Sequence, residues 1–318
     1  MGKNALALFF KPEVKDRIEQ AFREGMEDEI VSKFPELQVR KGLPLEEFES
    51  EFRHKQRPVL LQGSIHNWPA VHKWNLDFLN EKCGHARVLT NTHSPTASKP
   101  VTMEEFIRLV KRPAPGTSPI YIQEWYFHND CPFLLDDIKE IPERHYDFKH
   151  KLYGLVLDNT ISLWIGQKDA ITILHRDASY ADAIHAQIYG SKVWYIFGPN
   201  EHVDLDDDGS PDFKTYLSSK TPIVTHCVTR PGDVLYLPAR WYHRLQLLED
   251  SIGLSCAALD ERNLAKHMRE RLHEILPLAV NQDYLKEQFP DLTRLFINRY
   301  RAFANTMGID LNSFRDEE

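Results

Sequence analysis

The sequence predicts a mainly β fold, in which a single β barrel or sandwich carries α-helices at both ends. From Ile161 to Ser255, short apolar runs follow one another at close spacing and are separated by glycine and proline residues, which is typical of many short strands. After Asp260 the apolar spacing becomes helical, and residues 13–33 show a similar spacing near the N-terminus. These changes of period predict helices on both sides of the strand-rich region.

The strand-rich region contains runs that are rich in β-branched and aromatic residues, as strands require. Turn residues such as Gly166, Gly190 and Pro238 stand between these runs. The predicted strands cover residues 161–165, 171–174, 186–189, 193–197, 224–228, 234–237 and 252–254. Two further strands are predicted upstream, at residues 57–61 and 121–125.

Two helices are predicted between the upstream strands. The first covers residues 74–83 and ends at Gly84. The second begins at a capping box formed by Thr102 and Glu105, and it continues through Val110.

The composition and net charge are typical of a folded chain and do not indicate binding to membranes or nucleic acid. The chain has 318 residues, of which 42% are hydrophobic, and its net charge is −8, so a phosphate backbone is an unfavourable partner. The apolar run at residues 5–10 is too short to span a membrane. The four cysteines are scattered and favour free thiols in a reducing compartment. We therefore expect a cytoplasmic protein, with nuclear residence as the alternative.

Three residues have the chemistry and spacing of a metal site. His175 and Asp177 are two residues apart at the end of an apolar strand, so an extended backbone directs both to one face. His243 follows much later, after the run 231–238. Two imidazoles and one carboxylate form the facial triad that holds Fe(II) and leaves open positions for a co-substrate and O₂. Alone the motif is weak, because the chain has 15 histidines and a His-x-Asp is more often a surface or turn feature.

The surroundings of the triad resemble the JmjC-domain oxygenases of the cupin superfamily. The resemblance covers most of residues 45–258. Upstream of the core, residues 57–63 and 68–70 resemble the usual first segment of the small JmjC hydroxylases. The matching motifs of the core are residues 163–166, 172–177, 186–194 running into 197–199, and 231–238 continuing through 241–243. The resemblance implies a double-stranded β-helix (jelly-roll) core, with Fe(II) as the metal and 2-oxoglutarate as co-substrate.

The same resemblance divides the chain into three parts. Residues 1–44 are expected to form an N-terminal helical segment, residues 45–258 the catalytic domain, and residues 259–318 a C-terminal helical segment. Its two predicted helices, at 261–276 and 283–303, carry apolar stripes that either pack on the barrel or form a homodimer, as in related hydroxylases. We expect the homodimer, because the aromatic residues exceed what a lone terminal helix needs.

Four further residues match positions that bind the co-substrate in this family. Lys192 matches the lysine that binds the far carboxylate of 2-oxoglutarate, because a buried anion must be paired. Thr172 matches a hydroxyl that supports the same carboxylate. Tyr121 resembles the tyrosine that completes this pocket in asparaginyl hydroxylases of the HIF-inhibiting type, although it is equally a core aromatic of a strand. Ser255 stands where the family often has an asparagine near the metal, which leaves the contact to the near carboxylate open.

The sequence also departs from the family between Asp177 and Ala186, where it is about two residues longer than the commonest pattern. The insertion includes residues 179–182 and begins beside the metal, so we expect unusual substrate contacts there. His185 is assigned to the far end of this loop, and its spacing from Asp177 does not favour a metal ligand.

The resemblance implies hydroxylation of a protein or peptide side chain by an Fe(II)- and 2-oxoglutarate-dependent dioxygenase. Three alternatives remain open: demethylation of Nε-methyl-lysine, oxidation of a small metabolite or natural-product peptide, and a non-catalytic scaffold of the same fold. The scaffold alternative predicts a missing ligand or lysine, whereas His175, Asp177, His243 and Lys192 are all present.

Overall fold

The computed structural model describes residues 36–90, 100–141, 161–177, 180–198, 224–259, 262–263 and 266–267. The helices predicted at residues 13–33 and 283–303, and all but four residues of the helix predicted at 261–276, lie outside these ranges. The predicted dimer surface lies there too. Among the described residues, no helix combines the length and hydrophobicity needed to cross a membrane.

Most of the described chain is organised in two facing β-sheets. The strands are β1 (Val39–Lys41), β2 (Val59–Gln62), β3 (Arg87–Leu89), β4 (Pro100–Thr102), β5 (Tyr121–Trp125), β6 (Ile161–Gly166), β7 (Ile171–His175), β8 (Asp182–Tyr189), β9 (Lys192–Phe197), β10 (Val224–Thr229), β11 (Val234–Leu237), β12 (Tyr242–Leu247) and β13 (Ser251–Ala258). One sheet has the order β1-β2-β11-β8-β13-β6-β5 and the other β10-β9-β12-β7, while β3 and β4 pair separately.

The eight strands from β6 to β13 form the predicted jelly roll. Strands β6, β8, β11 and β13 lie in the larger sheet, and β7, β9, β10 and β12 form the smaller one. The chain therefore crosses repeatedly between two four-stranded halves, which is the double-stranded β-helix. Strands β1, β2 and β5 extend the larger half.

Short helices cover the larger sheet. They are α1 (Leu45–Phe48), which continues as a π-helical turn (Glu49–Arg53), α2 (Pro69–Lys73), α3 (Leu76–Cys83) and α4 (Met103–Lys111), with 3-10 turns at Phe127–Asn129 and Pro132–Asp137. The Thr102 hydroxyl accepts from the Glu105 amide at 3.1 Å, so the predicted start of α4 is confirmed. Helix α3 begins two residues later than predicted, because the Asn75 side chain accepts from the Phe78 amide at 2.9 Å.

Two hydrophobic clusters lie on opposite faces of the larger sheet. The outer cluster joins the sheet to the helices and includes Phe48, Trp68 and Phe106. The inner cluster fills part of the barrel and includes Tyr121, Trp194 and Leu235. All four cysteines are buried and form no disulfide bond, which agrees with the predicted thiols. The functional residues considered below lie on the barrel side.

Strand β12 was not predicted, although it carries His243. Its sequence, Tyr-His-Arg-Leu-Gln-Leu, contains several polar residues, so its composition does not indicate a buried strand. Strand β12 lies between β9 and β7 in the smaller sheet, where His243 and Arg244 are 3% and 2% exposed. Pairing on both sides, rather than composition, makes this segment a strand.

Candidate metal centre and co-substrate pocket

His175 and His243 are brought together by strand pairing. His175 is the last residue of β7, and its register partner on β12 is His243. Their ring centroids are 4.2 Å apart with an interplanar angle of 58°. Opposite residues of an antiparallel pair share one face, so both imidazoles face the same space.

Asp177 completes the group two residues beyond His175. Its Oδ1 lies 3.7 Å from Nε2 of His175, and one ligand atom from each of His175, Asp177 and His243 lies within 4.8 Å of the others. Within the described ranges, this is the group of three such side chains that could hold a metal ion. The Asp177 side chain is 40% exposed, so the group is open on one side.

The electrostatics of the group suit a cation. Loss of solvent raises the pKa of Asp177, but His243, His175 and His185 together outweigh this effect and hold that pKa below its usual range. Nδ1 of His243 lies 3.2 Å from the Trp241 carbonyl, which can only accept. Nδ1 therefore carries the proton and leaves the lone pair of Nε2 for a metal.

A β-bulge places Thr172 on the same face as His175. On β12, His243 and Leu245 are two residues apart, whereas their partners on β7, His175 and Thr172, are three apart. The additional residue of β7 reverses the alternation that would otherwise send Thr172 to the opposite face. Thr172 is buried, and its hydroxyl lies 3.5 Å from Nε2 of Gln123.

Lys192 is a buried cation at the other end of the same interior. It is 3% exposed, and its Nζ donates to the Tyr121 hydroxyl at 3.4 Å. In the described part of the chain no carboxylate pairs with it. Burial lowers the pKa of Lys192 to about 7. Burial also raises the pKa of Tyr121, which outweighs its hydrogen bond with Thr172, so Tyr121 remains a neutral hydroxyl.

Two glycines, Gly253 and Gly166, make room for this lysine and tyrosine. A Cβ on Gly253 would lie 2.8 Å from Nζ of Lys192, and a Cβ on Gly166 would lie 2.5 Å from Cδ2 of Tyr121. Both backbones are close to a side chain that points into the barrel. An isolated glycine inside a predicted strand is the signal that could have identified Gly253.

A pocket lies beside Lys192 and is also lined by His185. The residues that line it include Trp164, His185, Gln187, Lys192, Trp194 and Gly253. Lys192 is the basic amine of a pocket whose other lining is aromatic and aliphatic, with the side chains of His185, Gln187 and Thr229 as further polar groups. That combination fits an anionic ligand with an apolar middle.

The assignment of His185 to a loop was wrong. His185 lies within β8, and its ring centroid is 6.1 Å from that of His243. Its Nε2 is buried, and no hydrogen-bond partner for it occurs in the part of the chain that the structure describes. Burial, followed by the effect of His243, lowers the pKa of His185 to about 3. It stands outside the group of three side chains that could hold a metal ion.

Ser255 lies directly opposite His185. The register pairs Ser255 of β13 with His185 of β8 and with Ser162 of β6. The structure thus places Ser255 on the interior face, beside an imidazole that sequence reasoning had assigned elsewhere.

The last residue of the inserted segment, Asp182, has a structural role. Asp182 is fully buried; its carboxylate accepts from the Tyr236 hydroxyl at 2.9 Å and from the Ala239 amide at 2.9 Å. Arg262 is 3.4 Å away. Asp182 cannot reach a substrate; it fixes the segment that leads to His243. The Tyr180 ring lies beneath Arg240, at 4.7 Å.

A jelly roll with these three side chains at one end of its interior defines a metal-binding cupin. Residues 44–258 match the family described as cupin-like domain, and the chain belongs to this family. Within the cupin superfamily its relatives are JmjC oxygenases.

The relatives differ in the activities that their names state. The chain is 27% identical to arginine-specific demethylase JMJ22 of Arabidopsis thaliana, over 77% of this chain and 53% of the relative. It is 26% identical to lysine-specific demethylase 8 of Danio rerio, over 77% and 64%. It is 21% identical to the bifunctional peptidase and (3S)-lysyl hydroxylase JMJD7 of Homo sapiens, over 63% and 76%. The match thus spans less than two thirds of each of the two demethylases.

Proposed function

We propose that this protein is an Fe(II)- and 2-oxoglutarate-dependent dioxygenase that hydroxylates a side chain of a protein or peptide. The observation that carries the proposal is a buried lysine, without a carboxylate partner among the described residues, in a pocket that His185 also lines. The ring of His185 lies 6.1 Å from that of His243, which belongs with His175 and Asp177 to the possible metal-binding group. An oxygenase of this class needs both features together.

The residues present fit the proposed metal. Two neutral imidazoles and one carboxylate are the donor set of non-heme Fe(II) sites that retain open positions. The absence of a cysteine from this group makes a structural zinc site less suitable. When bound, Fe(II) and 2-oxoglutarate supply the oxidation of a C–H bond by O₂, with release of succinate and CO₂.

The residues of the chain bind and orient the reactants. The Lys192 ammonium, with the hydroxyls of Tyr121 and Thr172, would neutralise and hydrogen-bond the far carboxylate of 2-oxoglutarate. This pairing compensates the cost of burying both charges. Trp164 and Trp194 line the pocket, and apolar surroundings of this kind strengthen such contacts.

A protein substrate is supported by the names of the relatives. The lysyl hydroxylase JMJD7 is matched over 76% of its length, a larger share than the demethylases JMJ22 and lysine-specific demethylase 8. Hydroxylation is therefore the first candidate. Demethylation is the second candidate, because the two demethylases have the higher identities, 27% and 26%. Demethylation releases formaldehyde, whereas hydroxylation retains the added oxygen.

The test is 2-oxoglutarate turnover with Fe(II) over an array of methylated and unmethylated peptides, read by mass shift. We expect wild type to add one oxygen to a peptide and His175→Ala to lose turnover. His66→Ala is the matched control, because His66 pairs with His72 at 5.1 Å outside the triad. Loss of a methyl group would favour demethylation. Turnover that persists in His175→Ala would contradict the assigned ligand, and no turnover with any substrate would favour a scaffold.

The organisation of the whole chain is part of the same proposal. The family match at residues 44–258 supports a catalytic domain at 45–258, flanked by the segments 1–44 and 259–318. We further propose a homodimer through the C-terminal helices. Sedimentation of the full chain should give a dimer that Phe296→Asp dissociates, with unchanged circular dichroism as the control.

A further inference from the structure

The pocket contains a polar side chain, that of His185, to which the proposed function assigns no role. Nε2 of His185 is buried and has no hydrogen-bond partner among the described residues, although His185 lines the pocket with Lys192. A buried polar atom without a partner costs free energy unless something else satisfies it. Its position in the pocket points to a ligand as the missing partner.

His185 and the Lys192 ammonium lie at different rungs of the larger sheet, although Lys192 itself belongs to β9 of the smaller sheet. His185 pairs with Ser255, and Gln187 pairs with Gly253; Gly253 is the backbone against which the Lys192 ammonium lies. Residues two apart on a strand are separated by about 7 Å. A five-carbon dicarboxylate has a comparable length, so its two ends can meet the two rungs.

The His185 rung is the one beside the metal-binding group. The ring of His185 is 6.1 Å from the ring of His243 between centroids. The ring is also held against Trp194, at 4.7 Å. His185 is therefore close to the triad without being part of it.

We propose that His185 is a co-substrate-binding residue whose Nε2–H donates to the carboxylate of the 2-oxo acid end, with the Ser255 hydroxyl beside it. This inference rests on the proposed function. It supplies a contact for the near carboxylate of 2-oxoglutarate, which Ser255 left open because a serine replaces the asparagine often found there. The donor then comes from the neighbouring strand β8. Burial keeps His185 neutral at physiological pH, so it acts as a hydrogen-bond donor rather than a second cation.

The experiment measures binding to the Mn²⁺-loaded full chain without O₂, by calorimetry. Two probes are used: 2-oxoglutarate, which has both ends, and 2-oxopentanoate, which lacks the far carboxylate. We expect His185→Leu to weaken both probes by the same factor, about 10- to 100-fold for a hydrogen bond to a charged group. Lys192→Met should weaken 2-oxoglutarate alone.

Two further variants separate binding from packing. His185→Gln retains a donor near the position of Nε2 and should recover part of the affinity for both probes. His226→Leu makes a matched substitution on β10, where Nδ1 of His226 is likewise buried without a partner in the described ranges. His226 does not line the pocket. This substitution should leave both affinities unchanged. Mn²⁺ affinity should also be unchanged in His185→Leu.

Each other outcome overturns a defined claim. A loss limited to 2-oxoglutarate in His185→Leu would assign His185 to the far carboxylate, and no loss with either probe would exclude contact with the ligand. Either result contradicts this inference and leaves the proposed function intact. If Mn²⁺-loaded wild type does not bind 2-oxoglutarate, the proposed function and this inference both fail.

Discussion

His175 and His243 are register partners on β7 and β12, and their ring centroids are 4.2 Å apart. The pair is the rigid part of the metal-binding group, because each histidine is held in a strand of the same sheet. Asp177 lies beyond the strand end and is 40% exposed. The group therefore combines two fixed imidazoles with one accessible carboxylate.

The carboxylate should dominate metal affinity, because it supplies the only negative charge of the three side chains. We expect Asp177→Ala to reduce Mn²⁺ affinity by at least about 100-fold. The loss of a ligand should cost more than the loss of a residue that only hydrogen-bonds to a ligand. Titration of Mn²⁺ by electron paramagnetic resonance measures this. Asp136→Ala, at an exposed carboxylate of a 3-10 turn, is the control. Equal affinity in the two variants would contradict the assignment of Asp177.

Lys192→Met should stabilise the ligand-free protein while removing its response to 2-oxoglutarate. The folded state lowers the pKa of Lys192 to about 7 from a model-peptide value of about 10.4. The folded state therefore binds fewer protons than the unfolded state between these values, and unfolding free energy rises with pH there. Denaturant unfolding should show this rise in wild type and a smaller one in Lys192→Met. A lower stability of the variant at pH 7 would contradict the prediction.

The affinity for 2-oxoglutarate should fall as pH rises above about 7. The ligand needs a charged ammonium, whereas free Lys192 loses its proton above a pKa of about 7. Binding then takes up a proton, and affinity decreases by up to about tenfold per pH unit. Calorimetry in buffers of different ionisation enthalpy measures the proton uptake. 2-Oxopentanoate is the control, and an equal pH dependence for both ligands would exclude Lys192 as the cause.

Gly253→Ala should weaken 2-oxoglutarate binding by displacing the Lys192 ammonium. The added Cβ would lie 2.8 Å from Nζ, which is closer than a carbon–nitrogen contact tolerates, so the flexible end of the lysine must move. A double-mutant cycle with Lys192→Ala tests this mechanism. Binding should be insensitive to Gly253→Ala once the lysine is removed. An unchanged penalty in that background would assign the effect to the backbone instead.

Asp182→Ala should destabilise the protein by about 2–4 kcal/mol, because it leaves a buried hydroxyl and amide without an acceptor. Asp182 accepts from Tyr236 and from the Ala239 amide. The Ala239 segment precedes His243, so Mn²⁺ affinity should also decrease. Asp182→Asn keeps an acceptor and should have the smaller effect on both measurements. Chemical denaturation and metal titration provide the readouts, and an unaltered Mn²⁺ affinity would limit Asp182 to a role in stability.

The strands of the core were predictable where composition and pairing agree. Strand β11 was predicted at residues 234–237 and is Val234–Leu237, and β5 was predicted at 121–125 and is Tyr121–Trp125. Strand β8 begins at Asp182 rather than at residue 186. Its first residues pair with the end of β13, where Ala258 is the partner of Asp182. The additional strand length comes from this pairing and is not visible in the local composition.

The sequence by itself determined the ligand types, the jelly-roll family and the buried lysine, because these depend on residue identity and on the order of short motifs. Only the tertiary structure decided which side chains share a face. The bulge that aligns Thr172 with His175, the position of His185 opposite Ser255 and the space that Gly253 leaves for Lys192 all arise between strands distant in sequence. The register of two strands and the distance between their backbones depend on both strands. Neither can therefore be predicted from the sequence of one strand.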